Sequence, residues 1–244
     1  MQTYAIGDIH GHLDLLQEQH AWIAEDIARS EPAPIVHIGD LVDRGPDSCG
    51  VVEYLRQGVE AGRDWVVLKG NHDRMFMGFM ADMNHVEPGL REDLGWLHPK
   101  LGGSTTLASY GVRNASDRPL AKVHAEALVA VPQTHRDFLT SRPASYRRDQ
   151  SIFVHAGIRP NIPLEDQTET DLVWIRKGFL EDTRDHGALI VHGHTAIADV
   201  TLYSNRLNID SSAAYGGPLT SVVIEGRQVF RLTAKGRVQL VPAG

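Results

Sequence analysis

The chain has 244 residues, 42% of them apolar and 23% charged, so it carries enough apolar material for a packed core and wholesale disorder is excluded. Its 24 Lys and Arg against 31 Asp and Glu leave a net charge of −7. That balance argues against a general binder of nucleic acid or of anionic membranes, although a local metal site can still draw a phosphate-bearing substrate.

Residues 3–6 read as a first strand, and residues 12–29 as a helix with Leu13, Leu16, Ala21, Ile23 and Ile27 near helical spacing. A second strand is expected at 34–38 and a second helix at 47–61, with Asp47 or Ser48 as its N-cap. A third strand at 65–68 leads into a helix reaching about Met83. This alternation is the pattern of βαβ units and a sheet with helices packed on it. Residues 84–148 are less regular, with helical pieces at 121–129 and 133–140 and turn signals at Pro88-Gly89, Gly102-Gly103 and Pro119. Short strands return at 151–154 and 189–191, with a helix expected over 171–180 between them. The last part is β-like: 200–203 with 206–209, then 219–224 with 228–232, form hairpins around Ser204-Asn205 and Glu225-Gly226. No linker interrupts the chain, so residues 1–244 are expected to form a single α/β domain, with 84–148 as its variable segment.

Five of these strands are followed at once by residues able to bind metal. They are Gly7-Asp8-Ile9-His10-Gly11, Gly39-Asp40-Leu41-Val42-Asp43-Arg44-Gly45, Gly70-Asn71-His72-Asp73, His155-Ala156-Gly157 and His192-Gly193-His194-Thr195. In α/β sheets ligands bind beyond the carboxyl ends of strands, so the five segments are expected to converge. If the first strand stays extended past its end, Asp8 and His10 point the same way and can share an ion. The donors are carboxylate, imidazole and amide oxygen, a set suited to manganese, iron, zinc, cobalt or nickel. Six donors exceed one tetrahedral site, which favours two ions sharing a carboxylate.

These motifs, in this order from Gly7 to Thr195, resemble the calcineurin-like metallophosphoesterase superfamily. Within it the chain is similar to the bacterial branch of the phosphoprotein phosphatases, related to symmetrical diadenosine tetraphosphate hydrolases. Leu172-Val173-Trp174-Ile175-Arg176, Asn208-Ile209-Asp210 and Gly216-Gly217-Pro218-Leu219-Thr220 also look like bacterial members. The resemblance implies a central β-sandwich flanked by helices, with two divalent ions, manganese foremost, at one edge. It implies Asp8 and His10 on the first ion, Asp40 bridging, and Asn71, His155 and His194 completing the second. A hydroxide shared by the ions would attack phosphorus in line, without a phosphoenzyme. His72 would protonate the leaving oxygen, oriented by Asp43, since a carboxylate partner helps a histidine act as a proton donor. Arg44 and Arg176 would grip the phosphate, to which guanidinium forks are matched, with Asn71 also facing the substrate. Ala196 stands where many superfamily members have a further histidine, so the first ion would have fewer protein ligands. Asp73 stands where eukaryotic phosphoprotein phosphatases have Glu.

The function this implies is a serine/threonine protein phosphatase, with dinucleoside polyphosphate hydrolysis as the alternative and a metal-free protein-binding scaffold as a remote one. A phosphorylated protein or a small phosphate ester or nucleotide is then the partner, with no nucleic acid, membrane or obligate protein partner indicated. The remaining histidines have plainer readings. His12 and His20 fall on a helix, His37 inside a strand, and His85, His98, His124, His135 and His186 at the surface. His192 is expected to line the wall of the site without binding metal. Met75, Phe76, Met77, Phe79 and Met80 read as helix core, and Gly102-Gly103-Ser104 as a turn. Arg142, Arg147 and Arg148 read as a solvated face. The lone Cys49, read as a packing residue, and an N-terminus without signal-peptide character point to a reducing, cytoplasmic setting.

Overall fold

β1 (Gln2–Ile6), β2 (Ile35–His37) and β3 (Trp65–Val67) run parallel in the computed structural model, which describes residues 1–91 and 93–243. α1 (Leu13–Ile27) and α2 (Ser48–Glu60) are the crossovers, and α3 (Asn71–Ala81) leaves β3. Asp47 caps α2: its carboxylate accepts from Gly50 N at 2.8 Å, filling one of the orphan donors of the first turn. The segment that follows contributes α4 (Gly103–Ser109), α5 (Leu120–Ala130) and α6 (Gln133–Thr140). β4 (Ser145–Arg148) and β5 (Ser151–Val154) form a hairpin, and α7 (Glu169–Trp174) connects to β6 (Leu189–His192). β7 (Thr201–Leu202), β8 (Arg206–Asn208), β9 (Ser221–Glu225), β10 (Gln228–Thr233) and β11 (Gly236–Leu240) complete the chain.

Two sheets result. One has the order β11-β10-β9-β1-β2-β3, the other β4-β5-β6-β8-β7. Ala5, Val36, Ile38 and Val222 from the first meet Phe153, Val191, Leu207 and Ile209 from the second in one buried layer, so the sheets form a sandwich. Each of the larger ones, Val, Leu, Ile or Phe, contributes about 1.5–3 kcal/mol when taken fully from water. The outer face of the first sheet is covered by helices through Tyr4, Ile6, Leu16, Ile23, Leu55 and Phe76. The outer face of the second packs Ile152, Val154 and Ile190 against Leu172, Val173 and Phe179. The mixed α/β architecture is therefore the expected β-sandwich flanked by helices. Among the described residues no helix is long and apolar enough to cross a membrane.

Several elements differ from expectation. α7 stops at Trp174, short of the helix expected over 171–180, because Ile175 turns extended (ψ 136°) and carries Arg176 back over the sheet edge. Gly102-Gly103-Ser104 is no isolated turn: Gly102, at φ +88°, is the N-cap of α4. Residues 145–148 are a sheet strand, so Arg147 and Arg148 sit on β4. β11, unassigned from sequence, is an edge strand paired with β10. His135 is buried, not at the surface, because Tyr110 Oη (2.9 Å) and Glu53 Oε2 (2.9 Å) meet its two ring nitrogens. Met75, Phe76, Phe79 and Met80 are core as expected.

Candidate active site

The parallel strands of both sheets aim their carboxyl ends at one edge of the sandwich. Asp8 follows β1, Asp40 follows β2, Asn71 and His72 open α3 just after β3, His155 follows β5, and His194 follows β6. All but His155 line a pocket of about 200 Å³ together with Arg44, Arg176, Trp174, Asp210 and Tyr215, and His155 is buried beside Asp40 and His194. The backbone is bent sharply to do so. Of nine non-glycine residues with positive φ among those described, five are His10, Asp40, Asp43, Arg44 and His194. Such conformations are costly and persist where the surroundings fix them, which marks these loops as shaped for more than connection. The bend also corrects one expectation: β1 ends at Ile6 and His10 has φ +45°, so Asp8 and His10 share the pocket through a turn and not along an extended strand.

Asp40 is shared by two groups of ligand atoms, His10–Asp40–His72 and Asp40–His155–His194. In the second, Asn71 Oδ1 lies 2.9 Å from His155 Nε2 and 2.8 Å from His194 Nδ1. His155 Nδ1 faces the Ile38 carbonyl at 3.0 Å and so carries a hydrogen there. A neutral His155 would then turn a lone pair from Nε2 toward the Asn71 oxygen. Burial alone disfavours a charged ring, but Asp40 and Asp8 outweigh it and push His155 up to about 9. The site thus demands positive charge at the point where Asn71, His155, His194 and Asp40 meet. Asp8, Asp40, Asp43, Asp73 and Asp210 are all buried around it, and Asp8 Oδ1 and His194 Nε2 have no partner. Uncompensated buried charge of this kind costs several kcal/mol. The donor set and these orphaned atoms fit two divalent cations, with Asp40 between them. Burial and the Asp210 charge hold Asp8 well above the usual carboxylate range, and His155 and His72 outweigh burial to hold Asp40 well below it.

His10 Nδ1 donates to Val42 O at 2.9 Å, leaving Nε2 toward Asp40 Oδ2 (3.3 Å) and Arg44 Nη1 (2.8 Å). His72 Nδ1 donates to Asp43 Oδ2 at 2.6 Å, leaving Nε2 for the pocket. Asp43 is fully buried and pinned from outside the motif: Trp96 Nε1 donates to it at 2.9 Å and Thr106 Oγ1 at 2.6 Å. The segment expected to vary with specificity therefore also builds the socket of the His72–Asp43 pair. The grouping of His72 with His10 and Asp40 by proximity alone does not outweigh this pairing, which fixes its ring through Nδ1.

Arg176 Nη2 donates to His194 O at 3.0 Å, and its segment is clamped from below. Glu87, 3% exposed, accepts from Trp174 Nε1 (2.8 Å) and from Arg74 Nε (2.8 Å) and Nη2. The Trp174 ring meets the His194 ring edge-on, centroids 5.6 Å apart. His192 lies outside both ligand groups: Nδ1 donates to Gly193 O at 3.0 Å and Nε2 accepts from Arg206 Nη1 at 3.2 Å. Burial pushes it down to about 3, which keeps the ring neutral beside Arg206, and it is not among the residues that line the pocket. Cys49 is half-buried, and burial with nearby acids raises its thiol above the usual range. Sequence reasoning assigned no role to Glu87, Trp96, Thr106, Asp210 or Tyr215; only Asp210, just past a strand end, carried a signal of the kind used for the others.

The model of the calcineurin-like phosphoesterase family matches residues 1–222. The asymmetrical bis(5'-nucleosyl)-tetraphosphatase PrpE of Anoxybacillus flavithermus is 25% identical, over 89% of this chain and 88% of its own length. The symmetrical bis(5'-nucleosyl)-tetraphosphatase of Dechloromonas aromatica is 26% identical over 95% and 96%. Serine/threonine-protein phosphatase 1 of Salmonella typhimurium is 26% identical over 91% and 92%. A solved candidate diadenosine tetraphosphatase superposes with a TM-score of 0.63 at 20% identity, covering 99% of this chain and 95% of that one. A pocket of convergent carboxylates and imidazoles at the edge of a β-sandwich, matched along nearly the whole chain, thus has one family to which it corresponds: this protein belongs to the calcineurin-like phosphoesterases.

Proposed function

We propose that this phosphoester hydrolase works through two divalent metal ions and that its substrate is a dinucleoside polyphosphate of the diadenosine tetraphosphate class. The observation that carries the chemistry is Asp40, common to two groups of buried ligand atoms beside two arginines that line the same pocket. Asp8, His10 and Asp40 would hold one ion, and Asp40, Asn71, His155 and His194 the other. When bound, such ions neutralise phosphoryl charge and supply an activated water at neutral pH. Arg44 and Arg176 then hold the phosphoryl oxygens, which two guanidinium forks match in geometry. Asp43 orients the His72 ring through Nδ1, which turns Nε2 toward the pocket as the atom that would pass a proton to the departing oxygen. The substrate class is supported by tetraphosphatases among the relatives, two of them named above, and by the aromatic walls at Trp174 and Tyr215.

The second reading is a serine/threonine protein phosphatase, the activity that the sequence resemblance puts first. It is favoured by the Salmonella relative and by the count of arginines in the pocket, two, which matches one phosphoryl group. Turnover of diadenosine tetraphosphate and of a phosphoserine peptide, measured side by side with Mn²⁺ supplied, separates the two. We expect kcat/KM to favour the dinucleotide at least tenfold. A preference for the peptide would install the second reading, and inactivity of metal-loaded protein on both would refute both substrate readings.

A further inference from the structure

We propose that the Tyr215 ring is a stacking platform for a nucleobase of the substrate whose phosphate Arg44 holds. The inference rests on the nucleotide reading above and names where the organic part of that substrate lies. Tyr215 is 67% exposed and is the one aromatic among the exposed large apolar side chains of the described residues. Scattered aliphatic exposure is ordinary, but this ring stands on the wall of the pocket that holds Arg44, Arg176 and Asp210. The Arg44 guanidinium carbon lies over one face of the ring, 5.1 Å from its centroid, so the platform is the opposite face, within reach of a group attached to a phosphate that Arg44 holds.

The turn that presents Tyr215 is closely hydrogen-bonded. Ser212 (φ +69°) and Gly216 (φ +86°) bracket it in left-handed conformations. Ser212 O accepts from Tyr215 N and from Gly217 N, each at 2.9 Å. Ser212 Oγ donates to Ile197 O at 2.8 Å, tying the turn to the β6–β7 connection. A Cβ at Gly217 would come within 2.4 Å of Ser211 O, so the backbone is closed tightly there. A ring held this way loses little freedom when a planar group packs on it, which is what makes aromatic platforms effective and tolerant of base identity.

Tyr215→Leu and Tyr215→Phe, assayed on diadenosine tetraphosphate and on β-glycerophosphate, test this. Leu should raise KM for the dinucleotide roughly 5- to 150-fold, the ratio that base–aromatic stacking gives. The loss on the dinucleotide should exceed that on ring-free β-glycerophosphate at least fivefold, and Phe should recover most of it. If Phe is as damaging as Leu, the hydroxyl acts and the platform is refuted. Equal losses on both substrates would reduce Tyr215 to a support for Arg44 and also refute it. Should wild-type protein not hydrolyse the dinucleotide, the substrate reading fails separately, and inhibition of β-glycerophosphate turnover decides the platform. Adenosine 5'-monophosphate inhibiting better than ribose 5-phosphate, with the advantage lost in Tyr215→Leu, would support it; equal inhibition by the two would overturn it.

Discussion

Glu87 offers a direct test of the idea that the segment after α3 clamps the Arg176 arm in place. Its carboxylate takes hydrogen bonds from Arg74 and Trp174 on one oxygen and faces His85 Nε2 (3.2 Å) with the other. Glu87→Gln keeps an oxygen for the Arg74 and Trp174 donors and turns its amide toward His85, so it removes charge while sparing geometry. A hydrogen bond to a charged group contributes about 1 kcal/mol more than its neutral counterpart, so Tm should fall by about 2–4 °C. Glu87→Ala leaves the Arg74 guanidinium, 17% exposed, and the Trp174 indole N–H without their acceptor. Breaking a buried pair costs about 3–5 kcal/mol, and partial hydration of Arg74 places this case near 3, a fall of roughly 6–12 °C. Calorimetry reads both. In steady-state kinetics KM should rise, because Trp174 and Arg176 loosen together, while kcat changes little, because the His72–Asp43 pair is held by Trp96 and Thr106 instead. Glu87→Ala within 2 °C of wild type, or a loss confined to kcat, would refute the clamp.

Acid should unfold the protein partly through His20 and His37, whose Nε2 atoms lie 3.0 Å apart in the core. His37 Nδ1 donates to Val66 O, so its Nε2 accepts from His20, and a proton on His37 would set donor against donor. Burial lowers His20 to about 2 and His37 to about 4, so the unfolded chain takes up these protons first: the stability is fully present above pH 6.5 and is lost as pH falls below it. His20→Phe should flatten the stability–pH slope between pH 6 and 4.5 by up to about 1.4 kcal/mol per unit, and an unchanged slope contradicts the assignment. Gly193→Ala should abolish turnover, since its Cβ would stand 1.9 Å from Asp8 Oδ1; activity within threefold of wild type would show that Asp8 is free to move. In metal titrations Asp40→Asn should cost affinity at both sites and far more than His192→Ala; equal losses would place His192 on a metal.

Much of the site was legible because its chemistry sits directly after strand ends. An apolar run such as residues 35–38 followed by Gly39-Asp40 announces both the strand and the reason it stops. What was hidden depends on partners far away in sequence. His135 looks like a surface residue until Glu53, 82 positions earlier, is placed against it. Glu87 and Trp96 lie in a stretch without clear periodicity, and their roles exist only where Trp174 and Asp43 arrive. β4, Ser-Tyr-Arg-Arg, lacks alternating apolar residues because it is an edge strand and Phe153 of its neighbour supplies the buried surface. The helix expected to run on to residue 180 failed because nothing in local propensity reports that Arg176 is needed at His194.

The hydrogen bond from His194 N to an oxygen of Asp8 closes the pocket across 186 residues of chain. During synthesis Asp8 emerges long before its partner does. At about 5–20 residues per second, roughly 10–40 s separate the two on the ribosome. Throughout that interval Asp8 exists without the second sheet that completes its surroundings. On the two-ion reading, the full donor set is assembled only when the second sheet has closed on the first.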